Sequence, residues 1–127
     1  GTFGPDAWRT AANWSVDWAW WMADPRDRAL SDRIQQFFDG QGIATYGNRY
    51  TLDGTRLDTP HSTALVATNA VASLAASDTA RARRFVDELW NAPVPSGQYR
   101  YYDGMWYLMG LLHCAGDFRI WVPAGAR

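Results

Sequence analysis

Asp6-Ala7-Trp8-Arg9-Thr10-Ala11-Ala12-Asn13-Trp14-Ser15-Val16-Asp17-Trp18-Ala19-Trp20-Trp21 decides the fold of this chain. Pro5-Asp6 is a helix-start signal, because the carboxylate can accept from free backbone N–H groups at a first turn. From Trp8 to Trp21 five tryptophans follow, and they spread around the helix instead of keeping to one stripe. A helix that is bulky and apolar on nearly every side is surrounded by protein. Its acids are Asp6 and Asp17 and its base is Arg9, one turn after Asp6. A carboxylate and a guanidinium therefore stand at the mouth of a buried aromatic helix, and the chemistry is placed there.

Working outward, the first helix is expected from about Asp6 to Ala23, broken by Asp24-Pro25. Arg26 to Asp39 changes pattern: Leu30, Ile34, Phe37 and Phe38 form one apolar stripe on a helix otherwise covered by charge and amide, so one face is wet. Gly40 and Gly42 end it. Residues 43–60 make a long connection in which short strands, but no sheet core, are expected; a structured loop of that length usually has a task. Pro60-His61-Ser62 starts a third helix, and 64–76 contains no charge at all. Ser77-Asp78-Thr79 caps a fourth helix over 80–91, stopped by Pro93 and Pro95. An aromatic loop, Gln98-Tyr99-Arg100-Tyr101-Tyr102-Asp103-Gly104, leads into an uncharged fifth helix over about 104–115. Phe118-Arg119-Ile120-Trp121 reads as a short tail packing back.

The alternation is the informative feature. Helices one, three and five are dry, whereas two and four are laced with charge. That is a weak repeat of helical hairpins with inner and outer members, an all-α arrangement. In a toroid of such hairpins the inner helices run parallel, so Asp6, His61 and Asp103 share one rim. Five helices close no ring, and three dry helices need walls that this chain does not supply.

Composition narrows the function. One domain fits 127 residues, and 15% aromatic content with eight tryptophans is too rich for a disordered linker. A net charge of −1 gives no electrostatic case for nucleic acid or an anionic membrane as partner. No stretch approaches an uncharged membrane span, and no signal peptide is read. The chain opens Gly-Thr-Phe-Gly, which reads as processed or as part of something longer. The single cysteine, Cys114, lies in an apolar run and is expected to be inertly buried. His61 and His113 lack ligand spacing, and His113-Cys114 does not make a metal site. No phosphate-binding glycine loop or nucleophile elbow is present, so neither metal nor cofactor is expected. Asn13-Trp14-Ser15 matches a glycosylation sequon inside the buried helix and is set aside.

Two readings of Asp6 stay open: a plain helix cap, or a carboxylate held ionised by Arg9 and the helix start and able to take a proton from water. Asp103 has the same ambiguity, and Asp17 reads as a buried hydrogen-bond partner. Exposed aromatics beside carboxylates suit sugars, whose C–H faces stack on rings; Trp8, Tyr99, Tyr101 and Tyr102 fit. Glu88, the one glutamate, is expected on a wet outer helix far from the rim. Carboxylate-pair glycoside hydrolysis needs a protonated acid opposite the base, and no partner for Asp6 is found here.

Asp6-Ala7-Trp8-Arg9 before an aromatic inner helix resembles the Asp-Ala-x-Arg segment of glycoside hydrolase family 8. Tyr50-Thr51-Leu52-Asp53-Gly54, His61-Ser62, Asn69-Ala70-Val71-Ala72, Trp90-Asn91-Ala92-Pro93 and Tyr101-Tyr102-Asp103-Gly104 strengthen the likeness. Together they resemble the family's reducing-end xylose-releasing exo-oligoxylanases more than its cellulases or chitosanases, over essentially all of the chain. The resemblance implies an (α/α)6 barrel of inverting enzymes, with residues 1–127 as the C-terminal portion of one catalytic domain. It implies Asp6 as general base and Arg9 beside it, with Tyr101 and Tyr102 in an aromatic segment near the sugar cleft; Trp8 and Asp103 join the substrate-binding candidates from the residues themselves. His61 matches a histidine that closes the cleft beyond the leaving xylose, which would explain exo action. The family's general acid is a glutamate in an N-terminal segment absent from this chain, so the expected partners are a β-1,4-linked xylo-oligosaccharide and the rest of the barrel, perhaps a separate chain. A cytoplasmic location is favoured by the resemblance alone. The rival readings are a non-catalytic helical domain binding sugar or a partner, an endo-acting glucanase or chitosanase of the same family, and a lyase built on another (α/α) toroid.

Overall fold

Proline at position 5 sets where the first helix begins. The computed structural model describes residues 1–98 and 100–121; within them α1 spans Pro5–Trp21, with Pro5 in the first turn, where its missing N–H costs no bond. That moves the cap back to Gly4, which offers no side chain. The helix ends at Met22, whose left-handed backbone (φ 48°) returns its N–H to Trp18. Asp24 caps α2 (Pro25–Gly40) by accepting from the Arg26 N–H. Ser62 caps α3 (Thr63–Val71), which tightens into a 3-10 turn over Ala72–Leu74. Asp78 caps α4 (Thr79–Asn91). Helix α5 spans Arg100–Cys114, starting a turn earlier than Gly104 suggests and taking Asp103 into its first turn.

Helix α3 is the axle. Every residue from Ala64 to Val71 is buried, and α1, α4 and α5 all pack on it. Small side chains make this possible: a Cβ on Gly110 of α5 would stand 3.0 Å from Ala67 Cβ and 3.0 Å from Leu89 Cδ2. The charged helices lie outside as expected. Helix α2 turns Ser31, Gln35 and Phe38 inward, and α4 turns Ala82, Phe85 and Leu89. Gln35 Nε2 donates to the Asn69 carbonyl and to Ser73 Oγ, tying α2 across to α3. The long connection is folded on an aromatic cluster of Phe37, Phe38, Tyr46 and Tyr50. Its strands are minimal: β1 (Thr2–Phe3) pairs antiparallel with β2 (Tyr50–Thr51).

Two expectations need correcting. Helix α1 is not enclosed on every side, since its buried residues are Trp8, Ala11, Ala12 and Ser15, while Trp21 is 62% exposed. Helices α2 and α3 cover one flank, whereas the other faces an open groove toward α5, met only near its two ends by Tyr102 and by His113 and Phe118 among the described residues. Asp17 follows from this: it lies on the open flank and is exposed instead of buried. The tail returns as expected at Phe118, which packs on His113 and Trp20 at ring distances of 4.8 and 6.1 Å.

Candidate functional site

The starts of the three dry helices meet at one end of the molecule, joined by hydrogen bonds between residues far apart in sequence. Tyr102 Oη donates to the Pro5 carbonyl at 2.8 Å, linking the first turns of α5 and α1. Ser62 Oγ donates to Asp103 Oδ1 at 2.6 Å while accepting from the Ala64 N–H, linking α3 to α5. Asn48, from the long loop, braces both sides: its side-chain oxygen accepts from the Ser62 N–H and its carbonyl from Trp8 Nε1. The shared rim is therefore a connected structure.

Asp6 stands on this rim with its side chain fully exposed, 2.9 Å from Arg9. No backbone N–H takes its carboxylate as a cap, which removes the bland reading of this residue. A hollow of about 510 Å³ opens beside it, lined by Thr2, Gly4, Pro5, Ala7 and Arg49. Arg9, half-exposed, stands where that rim meets a second, apolar groove of about 620 Å³ running between α1 and α5. Tyr101 and Tyr102 line the groove at the rim, and Trp20, Met105, Trp106 and Phe118 continue it downward. Tyr101 is 79% exposed and offers a free ring. Tyr102 is partly buried, and that desolvation, partly offset by nearby Arg9, pushes its hydroxyl up from the ordinary value, so it stays a donor at neutral pH.

Other predicted residues are placed differently. Trp8 is 3% exposed, with its N–H spent on Asn48 and its ring 6.1 Å from Tyr102; it is a support under the rim and presents no free face to a sugar. His61 Nδ1 lies 2.8 Å from the Tyr46 carbonyl, with the imidazole edge-on to the Tyr46 ring. Its Nε2 is buried and faces Glu88 Oε1 at 3.7 Å. Both nitrogens thus face groups of this chain. Glu88 is corrected with it: instead of standing in water far from the rim, it is half-buried against His61. Its position three residues after Phe85 puts it on the inward face, a signal the charge count hid. Asp103 is engaged by Ser62. Tyr99 lies outside the described residues. Sequence reasoning placed Ser62 at a helix start but missed its bond to Asp103, and it missed the role of Asn48, because these partners lie in other elements. Among the described residues no cluster of His, Cys, Asp or Glu could hold a metal ion, and no helix is long and apolar enough to cross a membrane.

No family model matches the chain. The chain is 42% identical over 121 residues to the reducing-end xylose-releasing exo-oligoxylanase Rex8A of Paenibacillus barcinonensis, a match covering 94% of this chain and 31% of that one. It is 39% identical over 127 residues to the reducing end xylose-releasing exo-oligoxylanase of Halalkalibacterium halodurans, covering 98% and 32%. A glycoside hydrolase family 8 enzyme of Teredinibacter turnerae, solved with xylobiose, superposes with a TM-score of 0.89 at 46% identity, over 96% of this chain and 31% of that one. The chain spans about a third of the length of these relatives. Its inner and outer helices are arranged as in part of their barrel, and in sequence and fold it is related to glycoside hydrolase family 8.

Proposed function

We propose that this chain, related to glycoside hydrolase family 8, is the base-bearing part of an inverting glycosidase acting on β-1,4-linked xylo-oligosaccharides. The carrying observation is Asp6: an exposed carboxylate, free of any capping duty, paired with Arg9 on a rim where three helix starts converge. In the proposed reaction Asp6 takes a proton from water as the water oxygen bonds to the anomeric carbon. The glycosidic oxygen leaves with the electrons of its bond and receives a proton from an acid outside these 127 residues. Inversion leaves room for that water between two carboxyl groups roughly 6.5–9.5 Å apart. Arg9 orients the carboxylate, and Tyr101 offers its ring to a sugar face. Residues 1–127 act as a portion of one (α/α)6 catalytic domain, and the rest of that barrel covers the apolar groove.

The test is Asp6→Asn in the complete enzyme. Turnover on xylotriose is expected to fall about 10²–10⁴-fold, and a loss of only a few-fold would reject the base role. The activity of the exo-oligoxylanase relatives supports release of xylose from the reducing end. His61 favours a second reading, cleavage within a longer chain, because its nitrogens face Tyr46 and Glu88 instead of a sugar. Products from xylohexaose separate the two: xylose and xylopentaose for the first, xylobiose to xylotetraose for the second.

A further inference from the structure

We infer that Tyr102 is a positioning residue for Asp6, holding the base in place through the Pro5 carbonyl instead of binding the sugar with its hydroxyl. The inference rests on the reading of Asp6 given above. Helices α1 and α5 each pack on α3, and between them lies the apolar groove. Along most of their length the two helices are spaced through α3, and at the end away from the rim Trp20 meets His113 and Phe118. At the rim a single side chain spans the gap: Tyr102 Oη donates to the carbonyl of Pro5, the residue before Asp6, at 2.8 Å. Its ring is held by Trp8, which is itself buried and fixed by Asn48.

The need for such a strut follows from how α1 begins. Gly4 supplies no capping side chain, and Asp6 makes no bond to the backbone. Within the turn the Gly4 carbonyl accepts from the Ala7 and Trp8 N–H groups, and from outside the turn is held by the Tyr102 hydroxyl on Pro5, by the Trp8 bond to Asn48 and by the β1 pairing that precedes it. Among the described residues the side-chain partner of Asp6 is Arg9, which sits on the same helix and moves with it. Orientation relative to α5, where Tyr101 and Asp103 stand, passes through Tyr102. A general base works only within hydrogen-bond reach of its water, and a displacement of about 1 Å can cost on the order of 100-fold in rate.

The experiment is Tyr102→Phe in the complete enzyme, which keeps the ring on Trp8 and removes only the hydroxyl. The expected result is a drop in kcat on xylotriose of about 10- to 100-fold with KM changed less than about two-fold. Replacing Tyr102 with 4-aminophenylalanine, which restores a donor at the same place, is expected to recover most of the kcat. Wild-type kcat in Tyr102→Phe overturns the inference, and so does a rise in KM at constant kcat, which would make Tyr102 a sugar contact. Tyr102→His, which draws the donor back from Pro5, is the second variant should the phenylalanine protein fail to fold, and the same split is expected. Asp6→Asn measured alongside keeps the two readings apart. If it stays active, the base assignment fails; if it is inactive while Tyr102→Phe is normal, only the strut fails.

Discussion

Helices α3 and α1 have similar dry sequences and opposite situations. Every residue of α3 from Ala64 to Val71 is buried within this chain, whereas α1 buries four residues and leaves Trp21 and most of one flank open. The difference teaches that an uncharged helix announces that it will be surrounded, without saying by what. For α3 the neighbours are α1, α4 and α5. For α1 and α5, an apolar groove between them stays open among the described residues.

The comparison is sharpened most by truncation on the axle. Leu65 is fully buried, so Leu65→Ala is expected to lower stability by about 2–5 kcal/mol, read by denaturant melts. Trp21→Ala is the counterpart on the open flank. In the isolated 127-residue chain it should change stability by no more than about 0.5 kcal/mol; in the complete enzyme, if the flank is covered, the loss should rise to about 3–5 kcal/mol. Equal small effects in both settings would break the comparison.

A smaller effect is expected from adding a methyl group where α5 meets α3. Gly110→Ala brings its Cβ to 3.0 Å from Ala67 and Leu89, and overpacking of this kind costs about 1–3 kcal/mol. An unchanged melt would mean that the two helices separate easily.

His113, on α5, tests the same helix by pH. Burial lowers its pKa from the ordinary 6.5, so the folded chain prefers the neutral ring. Below about pH 6.5 the unfolded chain binds the proton first, and stability is expected to fall as pH drops from there toward the lowered folded value, then to level off. His113→Asn should flatten that part of the profile. Least in energy is Cys114, whose thiol burial pushes up to about 11. Iodoacetamide at pH 8 should label it far more slowly in the native chain than in urea.

Much of the architecture was legible because its signals are local. Asp24, Ser62 and Asp78 cap the helices they precede, and the charge-free run over 64–76 announces the axle. The rim was legible as the place where helix starts meet. Its details were not, because they depend on distant partners. Trp8 turns inward because Asn48, forty positions on, accepts its N–H. Glu88 leaves the wet face because His61 stands opposite it. Even the capping role of Asp6 failed for a reason one residue away: Pro5 took the first turn and moved the cap to Gly4. Read alone, a carboxylate near a helix start looks like a cap, and only the register shows that it is free.

The closeness of Gly110 to Ala67 makes the axle a ruler as well as a support. Side chains at this crossing set how far α5 stands from α3, and through it from α1. A larger residue there would push α5 away from α3 and shift Tyr101 relative to Asp6 at the far end, so under the proposed function it would change activity as well as stability. Alanines and glycines remote from the rim thus set the spacing of the groups that stand on it.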